Sequence, residues 1–540
     1  MKVDIVIVTY NSQIWLKDCI ESIEGQKGVD LQDINVYFVD NKSKDETIKE
    51  LNKYKEKSKL GSFNIIENQK NSGFGQANNI GFAQGTSEYV FFLNHDTKLD
   101  KDTIKNMEDE INNSEKEFVM WEFRQKPYEH PKYYNPVNGE TSWSSGACFI
   151  IKREVFKELD GFDKKIFMYA EDVDLSWRVR CEGYKIKYVP KAALTHFSYS
   201  TPGEVKPTQY FNSIVNNFNL RLRFGNLKDI LKWVKYTKEI LTRQGPFKGS
   251  RKGLAKQIIR NIANMPHFML WRTHKGRKEK LKQFQPKFYG FDYEISRQGA
   301  FLRNDKKIKN QPLVSVLIRT CGRPNVLRET LISVKKQTYQ NIEVVIVEDG
   351  KNVSEKMIQD EFSDMNIKYE ATGQKKGRCF VGNRAMQLAT GKYLNFLDDD
   401  DLFFADHVET LVKGLEYSKN DYKLAYTASM ETKINVLNKD EKYEYEVLEY
   451  NVIHNKPYSR VRLLTMNMFP IQAVMFSKEI FEKYGGMDEE LDNLEDWEMW
   501  ARYGMENKYL FIPKVTSLYR VPAKNTVYAE RQQEMDSYYR

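Results

Sequence analysis

The stretch 394–404, LNFLDDDDLFF, decides the reading of the second half of the chain. Four consecutive carboxylates, Asp398 to Asp401, lie between two short apolar runs, the pattern of a buried strand that empties acidic side chains into a site. Like charges packed this closely repel unless a cation offsets them. Hard divalent cations such as Mg²⁺ or Mn²⁺ take oxygen ligands, commonly one or two carboxylates, with water and substrate phosphates in the remaining positions. The stretch therefore points to a metal-bound phosphate substrate. A second reading makes these residues the acidic start of a helix beginning near Ala405, and the two are compatible.

Upstream, residues 314–320 (VSVLIRT) and 342–349 (IEVVIVED) are short β-branched runs on either side of a helix-like stretch over 325–336. Strand, helix, strand is the opening of a parallel α/β sheet. The same order stands at the start of the chain, as VDIVIVT (3–9), an amphipathic stretch through Ile23, and INVYFVD ending at Asp40. Thr9 and Asp40 are 31 residues apart, Thr320 and Asp349 29. Asn79 precedes Asn94 by 15 residues, as Asn383 precedes Asp398. GFDKKIFMYAEDVDLSWR (161–178) matches GMDEELDNLEDWEMWAR (486–502): Gly, an apolar residue, Asp, a gap, Glu-Asp, then Trp and a basic residue. One domain is present twice.

A chain of 540 residues exceeds a single core, so two or three domains are expected. Its five cysteines, Cys19, Cys148, Cys181, Cys321 and Cys379, are scattered, odd in number and without CxxC spacing, which predicts reduced thiols rather than a disulfide framework or zinc site. The N-terminus reaches polar residues too soon for a signal peptide, and no apolar run is long enough to span a bilayer. The expected location is cytoplasmic, soluble or peripheral on the inner face of the membrane.

Charge is unevenly placed. Residues 221–310 hold 24 Lys and Arg against 6 Asp and Glu, a balance of +18 that leaves −9 for the rest of a chain of net charge +9. Within this segment Leu227, Ile230, Leu231, Val234, Tyr236 and Ile240 recur at near-helical spacing among lysines. A second helical pattern covers 254–271, and a basic cluster follows over 272–282. Two readings stay open: peripheral contact of residues 221–310 with an anionic membrane, or a helical connector whose apolar face packs on the flanking domains. Nothing beyond charge resembles a nucleic-acid recognition motif, so no nucleic-acid partner is expected.

Residues 1–200 and 312–525 resemble family 2 glycosyltransferases of the GT-A fold. The first half is similar to bacterial rhamnosyltransferase-like members through NSGFGQANNIGF, FLNHD, SSGACFIIKREVF and GFDKKIFMYAEDVDLSWR. The second resembles the broader family through VSVLIRTCGRPNVLRETLISVKKQTYQNIEVVIVEDG and NFLDDDD. The resemblance implies an α/β chain with two GT-A, nucleotide-sugar-binding, Rossmann-like domains at 1–210 and 311–540, joined by a basic helical segment at 211–310. Its donor site would lie where the parallel strands end.

Carried over by position, the resemblance implies nucleotide-sugar contacts at Thr9, Asp40, Asn71 and Asn94 in the first half, and at Thr320, Asp349, Arg384 and Asp398 in the second. Divalent metal, Mn or Mg, would sit at Asp96 and at Asp400, with Asp401 a further candidate. His196 would be a second metal ligand or a diphosphate contact, or else a structural histidine. Arg520, beside Tyr519, stands at the comparable place in the second half. Asp172 and Asp496 match the family's catalytic base. Glu171, Glu495 and Trp497 would face the acceptor, although Trp497 also suits burial. The NHD at 94–96 departs from the DxD pattern, but its amide can still bond a ribose hydroxyl and Asp96 keeps the metal-binding carboxylate.

The implied chemistry is inverting transfer by two fused sites, which raises the local concentration of one site's product at the other. Donors would be a UDP-hexose and, for the first half, a UDP-hexose or dTDP-rhamnose. The acceptor would be a growing bacterial surface glycan, lipid- or protein-linked, and a two-domain polymerase is the nearest variant. The alternative is one active domain, the second, with the first a non-catalytic glycan- or donor-binding module.

Overall fold

The computed structural model describes residues 1–197, 205–274, 276–302, 308, 310–491 and 493–523. The chain divides into two compact units, Met1–Ser296 with Phe301–Asn304, and Arg297–Ala300 with Asp305–Arg540. The last stretch of the expected second domain, 524–540, lies outside the described residues.

In the first unit the chain runs β1 (Val3–Thr9), α1 (Gln13–Glu24), β2 (Ile34–Asp40), α2 (Thr47–Lys57), β3 (Ser62–Glu67), α3 (Phe74–Phe82), β4 (Tyr89–Leu93) and β5 (Thr97–Leu99). It continues through α4 (Thr103–Asn112), β6 (Phe118–Lys126), β7 (Glu140–Thr141), β8 (Cys148–Lys152), α5 (Arg153–Glu158), α6 (Glu171–Cys181) and β9 (Lys185–His196). The sheet order is β3-β2-β1-β4-β8-β6-β9-β5, with β7 on β9. β3, β2, β1 and β4 are parallel, and β8 enters antiparallel to β4.

Every residue of β1 is buried, as a near-continuous Val/Ile run requires in a sheet covered on both faces. Ile5 and Ile7 face Leu16, Cys19 and Ile20 of α1 and Met107 of α4. Val6 and Val8 face Ala77 of α3 and Leu175 of α6. Alternate residues of one strand thus serve two layers, and the functional ends of β1, β2 and β4 open on one edge.

The basic segment forms α7 (Pro207–Phe224), α8 (Leu227–Thr242), α9 (Ser250–Asn261), α10 (Met265–Trp271), α11 (Arg277–Gln283) and the short strands β10 (Phe288–Tyr289) and β11 (Asp292–Tyr293). It packs into the first unit through α6. Arg223 donates to both Asp174 and Asp163, Asn216 Nδ2 bonds Tyr169 O at 2.9 Å, and Trp177 meets Phe224, Phe288 and Tyr293 edge to face. The connector reading is therefore realised only in part: Trp233 and Thr237 of α8 are buried, whereas Leu227, Leu231 and Val234 are exposed.

The second unit repeats the plan as β12 (Val314–Thr320), α12 (Pro324–Lys335), β13 (Ile342–Glu348), α13 (Glu355–Phe362), β14 (Ile367–Ala371), α14 (Arg378–Leu388), β15 (Tyr393–Phe396) and β16 (Leu402–Phe403). There follow α15 (His407–Tyr417), β17 (Leu424–Asn438), β18 (Glu444–His454), α16 (Arg460–Leu463), β19 (Val474–Ser477), α17 (Lys478–Tyr484), α18 (Glu495–Gly504) and β20 (Tyr509–Pro522). The eight-strand order β14-β13-β12-β15-β19-β17-β20-β16 matches the first sheet position for position, whereas the ninth strand differs, β18 pairing with β17, the counterpart of β6, where β7 pairs with β9. Asp398 to Asp401 occupy the turn between β15 and β16, and α15 starts only at His407. The expectation that these four residues begin a helix is corrected: β16 intervenes.

All five cysteines are free, four buried and Cys321 exposed. Among the described residues no helix is long and apolar enough to cross a membrane.

Candidate active sites

In the first unit the ends of β1 and β2 are tied side by side. Thr9 Oγ1 donates to Asp40 Oδ1 at 2.9 Å, and Ser43 N donates to Asp40 Oδ2 at 2.8 Å. Asn41 N bonds Thr9 O, while the Asn41 side chain accepts from Ser72 Oγ and donates to Gly73 O. Asn71 Oδ1 accepts from Gly73 N at 2.9 Å, fixing the entry to α3. Gly73 has φ +85°, and a Cβ there would stand 2.3 Å from Phe167 O, so only glycine fits.

Asn94 and Asp96 follow β4. Asp96 Oδ1 lies 3.3 Å from His196 Nε2, and His196 Nδ1 lies 2.9 Å from Gln125 Oε1. Burial alone would raise the Asp96 carboxyl, but His196, with His95 nearby, outweighs it and holds the group well below the usual carboxylate range. An ionised carboxylate beside an imidazole is a donor set that fits a divalent cation.

Asp172 stands in the first turn of α6. Its Oδ2 accepts from Gly146 N and its Oδ1 from Val173 N, both at 2.8 Å. Burial raises its pKa against these bonds and the field of Lys132. Lys132 is buried on Glu122 and also donates to Trp143 O, while Glu122 Oε1 accepts from Ser145 N. That network braces the loop carrying Gly146. Glu171, next to Asp172, is buried and pushed well above the carboxylate range, and its Oε2 has no hydrogen-bond partner among the described residues.

The second unit satisfies the same positions differently. Thr320 Oγ1 donates not to the neighbouring strand but to Asp399 Oδ2, at 2.6 Å. Asp349 accepts from Lys376 N and Gly377 N ahead of α14. Strand register pairs Thr9 with Asp40 but Thr320 with Glu348. The counterpart of Asp40 is thus Glu348, and Asp349 corresponds to Asn41, each of the latter two donating its N–H to the threonine carbonyl. Asn41 and Glu348 were absent from the sequence-based set, because a one-residue offset between similar strand ends leaves no mark in composition.

Arg319 grips Asp398 through two bonds of 2.9 Å and reaches Glu495 Oε1 at 2.8 Å. Arg323 covers Asp399 and lies 3.3 Å from Asp400 Oδ2. A cation at Asp400 would share that carboxylate with the Arg323 guanidinium. Asp401 turns inward to Arg520 N, and Arg520 bonds Glu329 and the Asp400 carbonyl. Arg384 makes a two-point pair with Glu370. Asp496 accepts from Asn467 Nδ2 at 3.0 Å and Trp497 N at 2.8 Å, and burial with Glu495 alongside pushes it up to about 6. Trp497 is half-buried, with Nε1 on Leu463 O.

Both Glu-Asp pairs follow a residue in the left-handed region: Ala170 at φ +69° before Glu171-Asp172, and Leu494 at φ +63° before Glu495-Asp496. For non-glycine residues this costs about 1–2 kcal/mol. The same strain at the same place in both copies marks a turn whose geometry is held by what surrounds it.

A sequence profile described as glycosyl transferase family 2 matches residues 4–175 and again 315–485. The chain belongs to glycosyl transferase family 2. A second profile of this family, glycosyltransferase-like family 2, matches 137–214. Among relatives, an uncharacterized glycosyltransferase of Methanocaldococcus jannaschii is 28% identical over 240 residues, 43% of this chain and 78% of its own length. One from Rickettsia prowazekii is 24% identical over 40% of this chain and 66% of its own length. WcaA of Escherichia coli, a glycosyl transferase assigned to colanic acid biosynthesis, is 33% identical over 21% of this chain and 44% of its own. This chain spans less than two thirds of the last two.

Solved structures of glycosyltransferases overlap about half of the chain. A mannosyltransferase of Pyrobaculum calidifontis, in complex with GDP-Man and Mn²⁺, gives a TM-score of 0.35 at 15% identity over 52% of this chain and 83% of that one. Staphylococcus aureus TarS 1–349 with UDP-GlcNAc gives 0.33 at 19% identity, over 51% and 74%.

Proposed function

We propose that the protein carries two glycosyltransferase sites that add sugars from nucleotide-sugar donors to a growing bacterial surface glycan, lipid- or protein-linked. The observation that carries this reading is the repeated placement of a half-buried aspartate, Asp172 and Asp496, in the first turn of a helix, each fixed by two hydrogen bonds. A carboxylate whose pKa is raised toward neutrality suits acceptance of an acceptor hydroxyl proton. With one base and no enzyme nucleophile, transfer is a single displacement that inverts the anomeric carbon.

Negative charge develops on the departing nucleoside diphosphate, and nearby cations stabilise it. In the first site Asp96 and His196 would hold Mg²⁺ or Mn²⁺, which supplies that stabilisation when bound. In the second, Asp400 is the corresponding ligand and Arg323 a cation already at hand. Thr9, Asp40, Asn71 and Asn94, and Thr320, Asp349, Arg384 and Asp398, form the nucleotide-sugar side, whereas Glu171, Glu495 and Trp497 lie toward the acceptor. A UDP-hexose is the donor of the second site, and a UDP-hexose or dTDP-rhamnose that of the first. The protein works in the cytoplasm, soluble or peripheral on the inner face of the membrane.

A donor screen tests this: thermal shift and slow donor hydrolysis with a panel of nucleotide-sugars and Mn²⁺ or Mg²⁺, repeated on Asp96→Ala and Asp400→Ala. Different donors respond to the two substitutions. If every response follows Asp400 alone, the first unit is a binding module.

A further inference from the structure

The helices of the basic segment leave apolar side chains in water where charge would allow a defined partner. From Ser250 through Trp271 the chain is helical, as α9, a 3-10 turn over Ile262–Asn264, and α10. Ile259 (67% exposed), Ile262 (56%), Met269 (51%) and Leu270 (60%) stand out from this rod. At about 100° per residue these four, with exposed Ala263 and Pro266, fall on one stripe. Lys252, Lys256 and Arg260 lie on or beside the stripe.

On α8, Leu227 (70%), Leu231 (59%) and Val234 (50%) make a second stripe at i, i+4 and i+7, edged by Lys228, Lys232, Lys235 and Lys238. The opposite side of α8 is held in the unit by Trp233, whose Nε1 donates to Ile214 O. Ile230 of α8 and Met265 of α10 pack against one cluster with Phe268, so the two rods share an edge. Between Glu239 and Glu279 there are ten Lys and Arg and not one Asp or Glu.

We infer that the α8 and α9–α10 face docks on an anionic phospholipid surface, with Leu227, Leu231, Val234, Ile259, Ile262, Met269 and Leu270 entering the headgroup boundary and the flanking lysines and arginines pairing with lipid phosphates. Large exposed apolar side chains on a strongly basic body, with Asp229 and Glu239 the acids of α8 and none in α9 or α10, suit that surface: burial of the apolar stripe and attraction of the charges add, and the long basic side chains reach the phosphates while their stems lie on hydrocarbon. A nucleic acid would use the charge but not the seven apolar groups. A protein partner would need acidic groups to meet ten cations. The inference deepens the reading of the function by naming the surface on which the acceptor is met, and its geometry is independent of the catalytic sites.

Vesicle co-sedimentation of the full chain tests it, with phosphatidylcholine alone or mixed with phosphatidylglycerol. The wild type sediments with the mixed vesicles and not with phosphatidylcholine, and binding falls as salt rises. Ile259→Asp with Leu270→Asp abolishes sedimentation. Lys252→Gln with Lys256→Gln weakens it by roughly fivefold per charge removed. All four positions are exposed, so both variants retain the wild-type melting temperature and donor hydrolysis. Binding that ignores phosphatidylglycerol, or that survives both pairs of substitutions, overturns the inference, as does tight RNA binding or self-association lost in the same variants without vesicle binding. Loss of donor hydrolysis in the wild type with vesicle binding intact would count against the enzymatic reading and leave the docking face standing.

Discussion

Arg319 Nη1 donates to Glu495 Oε1 at 2.8 Å, and among the described residues of the first unit Glu171 Oε2 has no such partner. The register of β1 and β12 puts Val8 where Arg319 stands, and Glu171, the counterpart of Glu495, is buried without a partner for Oε2 among the described residues. The two copies therefore share a strand order and differ in what the acid before Asp172 or Asp496 is paired with.

That difference predicts opposite effects of one substitution. At neutral pH Glu171→Gln stabilises the first unit by about 1–2 kcal/mol, because it removes a buried carboxyl whose pKa burial has raised. The wild-type penalty is absent below the unfolded carboxylate pKa and grows as pH rises toward the folded one. Glu495→Gln instead leaves Arg319 short of a partner and destabilises the second unit by about 3 kcal/mol. Urea unfolding followed by fluorescence of each variant checks the signs.

Asp496, pushed up to about 6, predicts the pH dependence of the second site. As the proposed base, Asp496 must be ionised, so log kcat/KM rises with pH through about 6 and then levels. Stability runs the other way: the folded carboxyl holds its proton where the unfolded one has lost it, so this group's contribution falls as pH climbs from about 4 to about 6. Asp496→Asn removes the rising limb, lowers turnover roughly 10²–10⁴-fold, and melts higher than wild type at alkaline pH. A pH-rate profile beside a melting series tests both.

The Asp96 to His196 approach predicts the metal response of the first site. His196→Ala lets the Asp96 carboxyl rise toward its ordinary range and removes the proposed second cation ligand, so the thermal shift given by Mn²⁺ with a nucleotide-sugar shrinks; Asp96→Ala abolishes it. Calorimetric titration of Mn²⁺ in the presence of UDP serves as the readout. Equal Mn²⁺ affinity in wild type and Asp96→Ala would refute the assignment.

Much of the architecture was legible because the signals were local. β-branched runs, fixed spacings and the doubled GFD…ED and GMD…ED patterns foretold two α/β copies, and the copies have the same strand order. What stayed hidden depends on register and on long-range pairing. Glu348 and Asn41 take matching places only once the strands are aligned. Asn467, which orients Asp496 from 29 residues away, and Lys132, which braces the Gly146 loop through Glu122, carry no motif. Arg319 did leave a trace, a charge inside an otherwise apolar strand, whose meaning needed its partners. Helical periodicity found α8 but not which of its apolar residues meet protein, since Trp233 packs inward while Leu231 and Val234 face out.

The central claim, two transfer sites in one chain, is tested most directly by making Asp172→Asn and Asp496→Asn separately and resolving the products from mixed donors by mass spectrometry and NMR. Each substitution removes one sugar addition and leaves the other, with the anomeric configuration of the product inverted relative to its donor. If Asp496→Asn abolishes every transfer while Asp172→Asn changes no product, the chain has one active site and the claim fails.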